Sequence, residues 1–138
     1  MAETRPAAAA LRARPGLALP AVLLGWLLPG AGHFFLRRTG KGLLFLGAIG
    51  ALFVMGVAMD ARLQMYIGFD DPLAFLRSLA QMALGAPYFA ARALGFGFDV
   101  ELVKSVTHEY GNTFTEVGGL LNILVILDAY DIAMGRKP

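Results

Sequence analysis

Two uncharged runs limit what this chain can become. Gly16 to Leu36 contains 21 residues without a formal charge, and Gly42 to Met59 contains another 18. A helix needs about 20 apolar residues to cross a bilayer core. Only Arg37 to Lys41 separates the runs, and Arg37, Arg38 and Lys41 are cationic. Any fold must therefore bury two long apolar segments, or expose them to lipid, with a short basic elbow between them.

Composition favours lipid. Of the 138 residues, 57% are hydrophobic and 16% charged, against about 45–50% and about 25% in soluble domains. A domain of this length has too little interior to hide the excess. The net charge of +2 does not point to nucleic acid, because the cations cluster at the ends of apolar runs and form no basic face. The expected partners are the bilayer and either other membrane proteins or further copies of the chain. With no cysteine, disulfides, thiolate nucleophiles and cysteine metal sites are excluded.

Residues 1–15 read as a basic tail with Arg5, Arg12 and Arg14. The first helix is expected over about 17–36. Pro20 and Pro29 interrupt it, and Leu17 to Leu28 is a re-entrant length of 12 residues, so both a crossing and a dip that returns stay open. A cleaved signal peptide is disfavoured, because Arg37, Arg38 and Lys41 would open the mature chain. The second helix, about 42–60, has a small face at Gly47, Gly50 and Ala51, expected to serve internal packing over a dedicated dimer contact.

An insertion, 61–116, is of mixed polarity. Asp71 before Pro72 predicts a capped helix start, with Gly85 and Pro87 as its stop. Arg77 and Gln81 share one face, which predicts a helix lying along a membrane surface. Asp99 is expected to cap a second short helix through Tyr110, ended by Gly111. Phe69, Tyr88, Phe89, Phe96, Phe98 and Tyr110 suit the headgroup layer.

The last apolar helix, about 117–134, has only the 11 residues Val117 to Leu127 between Glu116 and Asp128. It cannot span without carrying a carboxylate to membrane depth, at a cost of about 2.5–3.5 kcal/mol at a helix centre. Asp128 therefore needs a partner. Pro29, Gly30 and Gly32 break the first helix, while Arg37, Arg38 and Lys41 hold the elbow on the cytoplasmic side. Arg136 and Lys137 mark the same side. The expected structural charge pair joins Asp128, with Asp131 beside it, to His33, Arg37 or Arg38. Asn122, mid-span, suits an interhelical hydrogen bond.

"GAGHFFLRRTGKGLLFL" and "GGLLNILVILDAYDIAMG" resemble the two-transmembrane-helix domain family. Gly30, Gly32, His33, Phe35, Leu36 and Arg38 match its turn, and Asp128 matches its later acid. The chain is also similar to small uncharacterised bacterial membrane proteins with a Pro-Gly-x-Gly-His joint and an Asp-Ala-Tyr-Asp ending. Residues from about 60 to 116 have no counterpart in the two-helix domains. The resemblance implies residence in the membrane and association with other membrane proteins, without enzyme chemistry.

The expected fold class is all-α: a small polytopic protein of the bacterial inner membrane with about three membrane helices and one or two short amphipathic interfacial helices. His33 and His108 lie far apart in sequence and gather no ligand set, so neither metal nor cofactor is expected. No spacing of carboxylates points to catalysis. An accessory or scaffolding subunit is the leading reading. The alternative is a small homo-oligomeric ion or proton carrier using Asp128.

Overall fold

The computed structural model describes residues 13–97 and 106–137. Most of the basic tail and the expected cap at Asp99, with Val100 and Val103, lie outside the described residues. Among those described there are six helices and no strand: α1 (Pro15–Leu27), α2 (Ala31–Phe35), α3 (Thr39–Ala58), α4 (Pro72–Met82), α5 (Ala86–Ala93) and α6 (His108–Ala133). One of them, α3, is long and apolar enough to cross a membrane.

The first uncharged run is not a single helix over 17–36. At 13 residues, α1 is about 20 Å long and accommodates Pro20 in its interior. Leu28 is extended, Pro29 has no N–H to continue the ladder, and Gly30 takes a left-handed φ of 82°. The chain then folds back as α2. The N–H of Arg14 bonds the Ala133 carbonyl at 2.7 Å, while Gly25 lies against Ile126. So α1 runs antiparallel to the second half of α6 and stops near its middle.

α3 also runs antiparallel to α6. It begins where Lys41 meets Asp128 and ends where Gly56 lies against Gly111 and Thr115. Gly111 is therefore not a helix terminus. It sits inside α6, which starts at His108 rather than 117, because a side chain at 111 would strike the carbonyl oxygens of Gly56 and Met59. The glycine serves close approach of two helices.

The middle segment forms a second hairpin. Asp71 Oδ1 accepts the N–H groups of Leu73 and Ala74, both at 3.1 Å, and starts α4. The chain turns at Gly85, with φ 73°, into α5. This hairpin enters from the opposite end of α6, and the two tips meet. Trp26 Nε1 donates to the Met82 carbonyl at 3.3 Å. Asn122 Nδ2 donates to the Gly25 carbonyl at 3.1 Å and to the Ala83 carbonyl at 2.8 Å. The chain thus repeats one plan in opposite senses: a broken hairpin followed by a long helix, twice.

α4 does not lie with its polar face toward water. Gln81 is 0% exposed, whereas Leu73 and Leu76 are each 61% exposed. The cause is the non-helical stretch 61–67, whose backbone has no ladder to join. Asn112, Gln81 and Ser78 side-chain oxygens accept the N–H groups of Arg62, Gln64 and Tyr66 at 2.8, 2.8 and 2.9 Å. Gln81 Nε2 returns a bond to the Arg62 carbonyl at 3.0 Å. Tyr88 and Arg92 donate to the carbonyls of Gln64 and Leu63. Buried backbone groups demand partners, and here polar side chains supply them.

The small face of α3 also departs from expectation. Among the described residues a Cβ added at Gly47 or Gly50 meets nothing within 4 Å and Ala51 is exposed, so no described element packs on this face. The tight contacts lie elsewhere. At Gly119 an added Cβ would overlap the carbonyl oxygen of Ala80. Gly119→Ala is therefore expected to destabilise the protein by more than about 3 kcal/mol, since backbone cannot give way as a side-chain tip does. Gly47→Ala should be neutral or stabilising by about 0.5–1 kcal/mol. Unfolding midpoints compare the two; equal effects would contradict a backbone-to-backbone contact between α4 and α6 at Gly119.

Candidate functional site

At the end of the molecule where α6 finishes, α2 delivers His33 into the interior. The left-handed Gly30 lets α2 turn back beside α3, and a Cβ on Gly32 would overlap the Ala21 carbonyl oxygen, so α2 lies directly on α1. His33 is fully buried, with its ring 4.9 Å from that of Phe45. Its Nε2 stands 2.9 Å from Asp128 Oδ2. An ionised carboxylate only accepts, so the imidazole donates.

Two further cations close on the same carboxylate. Lys41 Nζ lies 3.4 Å from Oδ2 and Lys137 Nζ lies 3.0 Å from Oδ1. Lys137 reaches it because the chain reverses through Gly135. The N–H groups of Gly135 and Arg136 cap the Ile132 and Asp131 carbonyls at 3.1 and 2.9 Å, a Schellman ending. Asp131 meets Arg136 at 3.4 Å and Lys137 at 3.8 Å. The hydrogen bond to Asp128 holds the Lys137 ammonium above the usual lysine range. Its contribution is thus complete at neutral pH and disappears as the pH rises through that raised value.

Of the residues singled out in the sequence, His33, Asp128 and Asp131 come together. Arg37 and Arg38 do not join them; they turn outward and line a separate cleft with Arg14 and Lys137. The lysines were missed as partners. Its place in the basic elbow marks Lys41 only as an anchor, and the return of Lys137 depends on the turn at Gly135. Asn122 is fully buried at the hairpin tips, where its Oδ1 has no partner among the described residues. His108 lies at the other end of α6, with Nδ1 3.1 Å from the Asp60 carbonyl oxygen and Nε2 3.1 Å from Asn112. The two histidines thus serve opposite ends of the fold.

This arrangement fixes a charge and ties α2, α3 and α6 together; it aligns no nucleophile with a base. A family model matches residues 20–138, a span that includes α2 through α6 and most of α1. The chain belongs to DUF6677, a family of unknown function. No curated protein and no solved structure matches it. The family shown is thus DUF6677 rather than the two-transmembrane-helix domain, and the match takes in the residues from about 60 to 116 that such domains lack.

For this DUF6677 chain, His33→Leu is expected to lower stability by about 1–3 kcal/mol, because it withdraws the buried donor from Asp128. Lys137→Ala should leave the unfolding midpoint almost unchanged, since an exposed ammonium is screened and replaceable. A midpoint that falls further for Lys137→Ala than for His33→Leu would show that the histidine is not the partner that matters.

Proposed function

We propose that this protein is a multi-pass component of a bacterial cytoplasmic membrane, with its Asp128 end inside, and that it acts as a non-catalytic accessory subunit packing against larger membrane proteins. The observation that carries the reading is inverted polarity. The buried side chains include His33, Ser78, Gln81, Asn112, Thr115 and Asn122, while Leu19, Leu43, Leu44, Leu73, Leu76 and Leu124 are exposed. In water such a surface would be a large adhesive patch; against lipid it is the ordinary outside. Only 17% of the apolar window of α3 is buried, unlike the core helix of a soluble domain.

Charge supports the orientation. Arg14, Arg37, Arg38, Lys41, Arg136 and Lys137 lie at the Asp128 end, while Arg62, Arg77 and Arg92 lie toward the other with Asp60, Asp70, Asp71 and Glu109, so among the described residues the cations favour the Asp128 end. Basic residues favour the cytoplasmic side. The return of α1–α2 brings the start of α1, the elbow and the residues after α6 to the same end, which accords with that tendency.

A second reading is a small carrier. The two hairpins that enter from opposite ends and meet at Asn122 follow the plan of transporters built from inverted repeats with broken helices. Purification of the tagged full-length protein from native membranes in mild detergent separates the two. The accessory reading expects a larger membrane protein at fixed stoichiometry. A lone species that carries ion or proton flux in liposomes, abolished by Asp128→Asn, would overturn it in favour of the carrier.

A further inference from the structure

The cations at the basic end fall into two groups. Lys41, Arg136 and Lys137 face the carboxylates of Asp128 and Asp131. Arg14, Arg37 and Arg38 form no ion pair or side-chain hydrogen bond among the described residues. These three arginines nevertheless line a single cleft of about 360 Å³, together with Lys137 and the apolar residues Leu17, Phe35, Leu36 and Ile132. Among the described residues no carboxylate lines it. An ordinary cytoplasmic anchor needs cations near the surface, but it does not need them gathered around one concavity.

Backbone bonds hold the three arginines there. Arg14 is pinned by its N–H to the Ala133 carbonyl at 2.7 Å. Arg37 follows α2 in a left-handed conformation, φ 60°, one that a non-glycine residue adopts only at a cost. Arg38 donates its N–H to the His33 carbonyl at 2.7 Å, and its own carbonyl accepts from Gly42 at 2.9 Å at the start of α3. Like charges are thus placed together, and among the described residues their mutual repulsion meets no counter-charge within the cleft. The guanidinium fork matches phosphate oxygens better than any other cationic side chain does.

We propose that this cleft is a phosphate-binding site that takes the headgroup of an anionic phospholipid. The choice of lipid as the source rests on the membrane reading above. It follows from the apolar wall: Phe35 is 41% exposed beside Leu17 and Leu36, at the depth where a glycerol ester and the first acyl carbons would lie. A soluble phosphate shares the headgroup chemistry and differs in having no use for that wall.

The test uses full-length protein in mixed micelles of equimolar phosphatidylglycerol and phosphatidylcholine, with lipid retention read by native mass spectrometry. Preferential retention of phosphatidylglycerol is expected, and Arg14→Gln and Arg38→Gln should each weaken it about fivefold. Arg136→Gln makes the same charge change at the same end but outside the cleft, and should leave retention unaltered. Equal retention of both lipids, or equal loss in all three variants, would overturn the site. A parallel titration of lipid-free protein with inorganic phosphate separates the sources: tight binding that Arg38→Gln abolishes would keep the site and overturn lipid as its ligand. Protein that stays soluble without detergent would sink the membrane reading instead, and the phosphate titration would still report on the cleft.

Discussion

One face of α6 governs the whole arrangement. His108, Gly111, Asn112, Thr115, Gly118, Gly119, Asn122, Val125, Ala129 and Ala133 are its buried residues, spaced by threes and fours so that they form one stripe. The members are small or polar almost throughout. Small residues let α3 and α4 approach backbone to backbone, as Gly111 and Gly119 show. Polar members then meet the backbone groups that the broken hairpins leave open. A large apolar stripe in the same place would hold the helices apart and strand those groups.

Asn122 concentrates this logic. Each hairpin stops a helix in mid-fold, where the last carbonyls have no intrahelical partner. One amide on the long helix bonds a carbonyl from each tip, so the two halves of the chain are joined at a single side chain. Outward from that point the ends diverge in character. One end gathers His33, Lys41 and Lys137 around Asp128; the other uses Asn112, Gln81, Ser78, Tyr88 and Arg92 to satisfy residues 62–66. Under the proposed membrane reading both solutions follow from one cause, the absence of water to solvate backbone and charge.

Much of this was legible in the sequence. The uncharged run from Gly42 to Met59 located α3, Val117 to Leu127 marked the apolar part of α6 and by its shortness required a partner for Asp128, and Asp71-Pro72 marked the start of α4. What the sequence obscured was direction. Arg77 and Gln81 share a helix face, and periodicity alone cannot say whether that face meets solvent or a needy backbone; Gln81 meets the backbone. Gly47 and Gly50 look like a packing face because glycine spacing is independent of what lies opposite, and among the described residues nothing lies opposite. Gly111 read as a terminus since a glycine that ends a helix and one that admits a neighbour are the same letter. The repeated hairpin was hidden as well. Gly30 and Gly85 are followed three residues later by His33 and Tyr88, different residues that are both fully buried.

The account stands or falls on α1–α2 turning back, so that Gly16 and Gly40 share one side of a membrane and Ile67 lies on the other. The chain has no cysteine, and Gly16 and Gly40 are open positions, which suits single-cysteine labelling with a membrane-impermeant maleimide in intact cells. The account predicts that Gly16→Cys and Gly40→Cys stay unlabelled until the membrane is permeabilised, while Ile67→Cys reacts at once. Opposite behaviour of Gly16→Cys and Gly40→Cys would contradict it, because α1 would then cross rather than return.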